Sequence, residues 1–160
     1  MFELQICDIG MADRLIREWA TKSIGLIDPV LKPHVKNYPN YLKVYCHDCD
    51  EDDCAEDLIR PQRSHMEAIL KFSQGFTDTD RIVVHCRAGM SRSPAVAIAI
   101  LVQHGLTPPE AFEQAKRVQW CMSPNRLILR YADELLNQQG ALLRYYDHWI
   151  RGSRSLTNQR

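Results

Sequence analysis

With 160 residues, the chain is long enough for one domain with a substantial core and too short for two ordinary ones. Twenty Lys and Arg balance twenty Asp and Glu, so no basic excess argues for nucleic acid or a membrane surface. The start from Met1 to Asp8 lacks a basic segment and an apolar core, and no apolar run approaches a membrane span. The expectation is a monomeric cytoplasmic protein without nucleic-acid or membrane partners.

Taken in order, Phe2 to Cys7 alternates as a strand, Asp8 to Gly10 make a turn, and Ala12 to Ala20 form an amphipathic helix through Leu15, Ile16 and Trp19. Ser23 to Ile27 reads as a short strand ended by Asp28-Pro29, and Pro33 to Asn40 as a loop. Tyr41 to Tyr45 alternates again, then an acidic run extends from Asp48 to Asp57. Pro61 to Phe72 is helical, with Met66, Ile69, Leu70 and Phe72 as its apolar stripe. The β-branched run Arg81 to Val84 predicts a buried strand, and Pro94 to Val102 a buried helix with Pro near its first turn. Thr107-Pro108-Pro109-Glu110 marks a further helix start, with the helix running to Val118. Helices from about Asn125 to Gln138 and from Ala141 to Ile150 follow, and residues 151–160 read as a polar, frayed tail. Strands alternating with helices, then helices alone, predict an α/β domain over residues 1–150. Its centre is a mainly parallel sheet of about four to five strands flanked by helices.

The chemistry gathers between the fourth predicted strand and the helix after it, from His85 to Pro94. A strand, tight loop and helix in succession offer backbone N–H groups and the positive end of a helix dipole to one small anion. Converging donors of this kind favour the thiolate of Cys86, which the thiol form is too weak a nucleophile to replace. Arg92, six residues on, returns its guanidinium over the same centre, and its planar fork holds two phosphoryl oxygens at once. The amides from Arg87, Ala88, Gly89, Met90 and Ser91 to Arg92 line the cradle, Gly89 suiting the sharp turn. Ser93 is placed to donate to the Cys86 sulfur, and His85 to order the loop from behind. Asn125 reads as the cap of the helix after Pro124.

His85 to Ser93 fits H-C-x-x-G-x-x-R-S and resembles the signature of cysteine-dependent protein tyrosine phosphatases. Its Ser91-Arg92-Ser93-Pro94 ending is most similar to the small dual-specificity branch, and the Pro124-Asn125-Arg126 segment to compact bacterial members. The resemblance implies a phosphocysteine intermediate, a phosphorylated protein as substrate, no cofactor and no metal. It also implies that Asn125 braces the active-site loop.

The mechanism needs a proton donor for the leaving oxygen. Asp48 is the first acid after the strand at Tyr41, and Leu42 to Asp48 matches the L-x-φ-x-x-x-D spacing of dual-specificity phosphatases. Asp50, Asp52 and Asp53 are alternatives within one acidic run, and Asp50 to Asp57 otherwise reads as a solvated loop. Cys46-x-x-Cys49 lacks the second ligand pair of a structural zinc site. Cys46 or Cys49 is a candidate resolving thiol for Cys86; otherwise both, with Cys7 and Cys121, read as buried and inert. The same loop chemistry also serves phosphoinositides or RNA 5′-phosphates, and a catalytically silent phospho-binding module is the rival from another class.

Overall fold

The computed structural model describes residues 1–34, 36–50 and 54–157, and the side chains of all these except 33, 34 and 153–157. Four strands form the sheet: β1 (Glu3–Cys7), β2 (Lys22–Ile27), β3 (Tyr41–Tyr45) and β4 (Arg81–His85). Their order is β1-β4-β2-β3 and every neighbouring pair is parallel. β4 is thus inserted between β1 and β2, and the loop leaving it is flanked by the ends of both. In open parallel sheets that carboxyl edge is where ligands bind.

Alternation along β4 assigns its side chains to two layers. Ile82 and Val84 join the larger core, while Val83 packs with Cys7, Ala12 and Ile16 beneath α1 (Ile9–Glu18). The larger face is covered by α2 (Arg63–Ser73), α3 (Arg92–Gln103), α4 (Pro108–Val118), α5 (Arg126–Leu135) and α6 (Ala141–Thr157). α3 is the central helix, buried at every position from Arg92 to Val102. Its apolar run explains that: a helix hydrophobic all round belongs inside a domain.

Several boundaries differ from the sequence reading, each for a local reason. α1 starts at Ile9, because the Asp8 side chain caps it by accepting from Met11 N at 3.0 Å. The chain after Asp28 makes a 3-10 turn over Pro29–His34. α3 starts at Arg92 and includes Pro94 in its first turn, where a missing N–H costs nothing. α6 continues past Ile150 to Thr157, where a frayed tail was expected. Its start is tied down by Asp133 of α5, which accepts from Gly140 N at 2.6 Å and Leu142 N at 2.8 Å. Ahead of β4, Asp80 accepts from Lys22, Thr21 and Thr77. Burial pushes its carboxyl up, but these donors outweigh burial and hold it well below the usual carboxylate range.

Candidate active site

The loop from β4 to α3 is held by its carbonyls. Arg87 O accepts from Ile9 N at 3.2 Å, Gly89 O from the Gln119 side chain at 3.1 Å, Met90 O from Ser123 N at 2.8 Å, and Ser91 O from Asn125 N at 3.1 Å. Among the described residues no peptide bond is cis. C=O and N–H point opposite ways across a trans peptide, so the amides of Ala88, Met90, Ser91 and Arg92 turn to the inner side. On that side Gly89 N donates to Cys86 Sγ at 3.2 Å. Gly89 has φ +71°, and a Cβ there would lie 2.7 Å from the Cys7 carbonyl carbon and 2.8 Å from Asp8 N. Both the backbone angle and the space require glycine.

Cys86 is 1 % exposed and its sulfur lies 3.2 Å from Ser93 Oγ. Arg92 is 2 % exposed, which for a guanidinium demands compensation. Its Nη1 donates to Asp28 Oδ1 at 2.7 Å and to Cys46 O at 2.6 Å. Burial works against the Arg92 charge, but Asp28, Cys86 and Asp48 outweigh it and raise its pKa. Its Nε has no hydrogen-bond partner and lies 3.9 Å from Asp48 Oδ2. A buried N–H left open toward the loop is what an incoming oxyanion would satisfy.

Asp48 comes to the same site from the end of β3, its side chain 40 % exposed. Oδ1 accepts from Ser91 Oγ at 2.7 Å and from Asn125 Nδ2 at 3.2 Å. Asn125 is the cap of α5, accepting from Ile128 N at 3.0 Å, and its Nδ2 also donates to Cys49 O at 2.9 Å. The acid loop is therefore seated on the start of α5. Asp50 strengthens the seat by accepting from Leu127 N at 2.9 Å, so it is a second cap, where a solvated residue was expected. Glu56 and Asp57 are exposed, and Asp52 and Asp53 lie outside the described residues. The loop closes at its base, where His47 N donates to Ile59 O at 2.7 Å and Ile59 N to His47 Nδ1 at 3.0 Å.

The cysteines depart from the sequence reading. Cys49 is disulfide-bonded to Cys54, so it is neither an inert thiol nor free to resolve Cys86. Cys121 is exposed, not buried. Cys7 and Cys46 are buried, and burial pushes their thiols up to about 12 and about 11. For Cys46 that wins over the opposing pull of Arg92. Among the described residues no group of three His, Cys, Asp or Glu comes together as a metal site would require.

The model of the dual specificity phosphatase catalytic domain matches residues 22–134, which include Asp28, Asp48, the whole loop and Asn125. The chain belongs to the dual specificity phosphatase family. A 46-residue stretch is 44 % identical to dual specificity protein phosphatase 2 of Mus musculus; it spans 28 % of this chain and 14 % of the length of that relative. Among solved structures, human DUSP28 is 25 % identical, covering 82 % of this chain and 84 % of its own at a TM-score of 0.55. PTPMT1 in complex with PI(5)P is 18 % identical, covering 85 % of this chain and 91 % of its own at a TM-score of 0.58. The likeness to PTPMT1 is one of fold.

Three residues of this dual specificity phosphatase escaped the sequence reading. Asp28 looked like the stop of a strand, yet it holds the buried Arg92 and lies 3.7 Å from Arg87 Nη1. Its place at the end of a strand beside β4 is the signal that would have found it. Tyr41 OH meets His85 Nε2 at 2.6 Å, fixing the imidazole behind the loop. Burial draws His85 down to about 4, against the raising contact with the Cys86 backbone, so the ring is neutral near pH 7. Gly25 makes room for that pair: a Cβ there would stand 2.5 Å from Tyr41 OH.

Proposed function

We propose that this dual specificity phosphatase hydrolyses phosphotyrosine in proteins through a phosphocysteine intermediate, and extends to phosphoserine and phosphothreonine. Cys86 attacks phosphorus in line, forming the S–P bond as the P–O bond to the tyrosyl oxygen breaks. Asp48 gives its proton to that oxygen. The amides of Ala88 to Arg92 and the open Nε of Arg92 take up the charge on the equatorial oxygens. Asp48, now a carboxylate, accepts a proton from water as its oxygen attacks phosphorus, and the thiolate leaves with the Ser93 hydroxyl beside it. His85 and Asn125 hold the loop in place, and Asn125 also positions the Asp48 carboxyl through Oδ1.

The observation that carries this reading is the convergence of Cys86 Sγ, Arg92 Nε and Asp48 Oδ2, with Arg92 Nε 3.9 Å from the acid and without a hydrogen-bond partner. Acid, anion clamp and nucleophile are the three parts the reaction needs. The PTPMT1 structure holds a phosphoinositide, which makes lipid phosphate the reading to exclude. Against it stands the charge of the loop: Arg87 is its one added base and sits beside Asp28. A polyanionic headgroup is better served by several cations at once.

The test is turnover of a phosphotyrosine peptide, a phosphothreonine peptide, a phosphoinositide and an RNA 5′-triphosphate. Phosphotyrosine is expected to lead, with orthovanadate inhibiting and EDTA without effect. Turnover of the phosphoinositide or RNA alone would refute the protein substrate. An EDTA-sensitive activity surviving Cys86→Ser would refute the mechanism.

A further inference from the structure

Ser91 occupies the N-cap of α3, yet its side chain makes no capping hydrogen bond. A serine there ordinarily accepts from the N–H of the second or third helical residue. In α3 the third is Pro94, which has no N–H to give. The hydroxyl turns instead to the loop after β3 and donates to Asp48 Oδ1 at 2.7 Å. The backbone of Ser91 is fixed at the same time, because its carbonyl accepts from Ala95 N at 3.3 Å and from Asn125 N at 3.1 Å. A residue in cap position thus forgoes the cap and holds a carboxyl across the site.

The two oxygens of that carboxyl are placed differently. Oδ1 accepts from Ser91 Oγ and, at 3.2 Å, from Asn125 Nδ2, an amide nitrogen that can only donate. A carboxylate oxygen offers two lone-pair sites, and two donors fill both. Oδ2 takes neither of these bonds and lies 3.9 Å from Arg92 Nε, the N–H left open toward the loop. A proton on Oδ1 would have to displace one of its donors, and a proton on Oδ2 displaces neither.

We infer that Ser91 is a positioning residue for the acid: together with Asn125 it occupies Asp48 Oδ1 and confines the exchangeable proton to Oδ2. Oδ2 then gives that proton to the tyrosyl oxygen as the P–O bond breaks. The same oxygen takes a proton back from the attacking water, with no turn of the carboxyl between the two steps. This rests on the acid role proposed above for Asp48 and names the residue that aims it.

The experiment measures kcat/KM for a phosphotyrosine peptide and for an aryl phosphate with a strongly acidic leaving group, and follows their ratio. This constant reads the steps up to phosphocysteine formation, in which only the tyrosyl oxygen needs a proton. Ser91→Ala is expected to lower the peptide-to-aryl ratio by about tenfold, the scale of one hydrogen bond to a carboxyl group. Ser91→Thr keeps the hydroxyl and is expected to restore most of the ratio. In an Asp48→Asn background, Ser91→Ala leaves the ratio where Asp48→Asn alone puts it, because the hydroxyl acts through the acid. A residue that merely held the loop would lower both substrates alike, in either background. An unchanged ratio in Ser91→Ala, a Ser91→Thr no better than Ser91→Ala, or a further drop in the Asp48→Asn background overturns the inference. If Asp48→Asn itself keeps the wild-type ratio, Asp48 is not the acid and the parent reading of its role falls as well.

Discussion

The loop after β4 and the loop after β3 meet where Arg92 faces Asp48, and they are built in opposite ways. The catalytic loop, from Cys86 to Arg92, is anchored through its own carbonyls, and both its reactive ends are buried. In the loop after β3 one backbone bond, His47 N to Ile59 O, closes the base, and its other described anchors are side chains: Ser91 and Asn125 on Asp48, Asp50 on α5, and the Cys49–Cys54 bridge. An anion cradle must be preformed, because each donor is worth most when it need not reorganise. On the proposed mechanism a proton donor has only to reach one oxygen, and the exposure of Asp48 leaves it open to water for the second step. Main-chain anchors hold the loop proposed to bind charge, and side-chain anchors hold the residue proposed to exchange a proton.

That contrast can be broken at the rigid side first. Cys86→Ser is expected to lower turnover of every substrate by on the order of 10⁴ or more while stability moves by about 1 kcal/mol or less. Rates and thermal unfolding on one preparation check both halves, and an activity within a hundredfold of wild type contradicts the assignment. On the adjustable side, Asp48→Asn should slow phosphotyrosine hydrolysis by about 10²–10³ and spare aryl phosphates whose leaving groups need no proton. Equal losses on both substrates would take the acid role from Asp48.

Asp28→Asn sharpens the comparison by acting on the rigid loop from beneath. It leaves an acceptor near Arg92 Nη1 but removes the charge that offsets a buried guanidinium, at a cost of about 3 kcal/mol. Urea unfolding should read that loss, with vanadate inhibition weakened by about tenfold. Unchanged vanadate affinity would leave Asp28 a purely structural residue. The mildest perturbation is pH. His85 is held down to about 4, below its unfolded value near 6.5, so the unfolded chain binds the extra proton between those values. The stability it confers is complete above pH 6.5 and is lost as pH falls toward 4, by at most roughly 3 kcal/mol. His85→Gln should flatten that part of the stability curve, and identical slopes would dismiss the imidazole as its source.

The strands, the buried α3 and the loop were legible because their signals are local. β4 is a β-branched run, α3 is apolar on all sides, and Cys86, Gly89 and Arg92 stand at fixed spacing in one short stretch. Asp48 needed both a strand register and a family spacing to stand out among its acidic neighbours. What stayed hidden is tertiary. Asp28 and Cys46 reach Arg92 across 64 and 46 residues of chain, and Tyr41 reaches His85 across 44. Asp50 reads as solvated until α5 presents Leu127 N to it, and cysteine pairing cannot be read from spacing.

One carboxamide joins the two halves. Asn125 Oδ1 caps α5, while its Nδ2 grips Cys49 O and Asp48. Warming that frays the first turn of α5 therefore releases Asp48 while the sulfur and its amides stay assembled on β4 and α3. On the proposed mechanism, gradual heating is expected to make the protein selective for acidic leaving groups before it melts, phosphotyrosine turnover fading first and aryl phosphate turnover surviving until the sheet itself gives way.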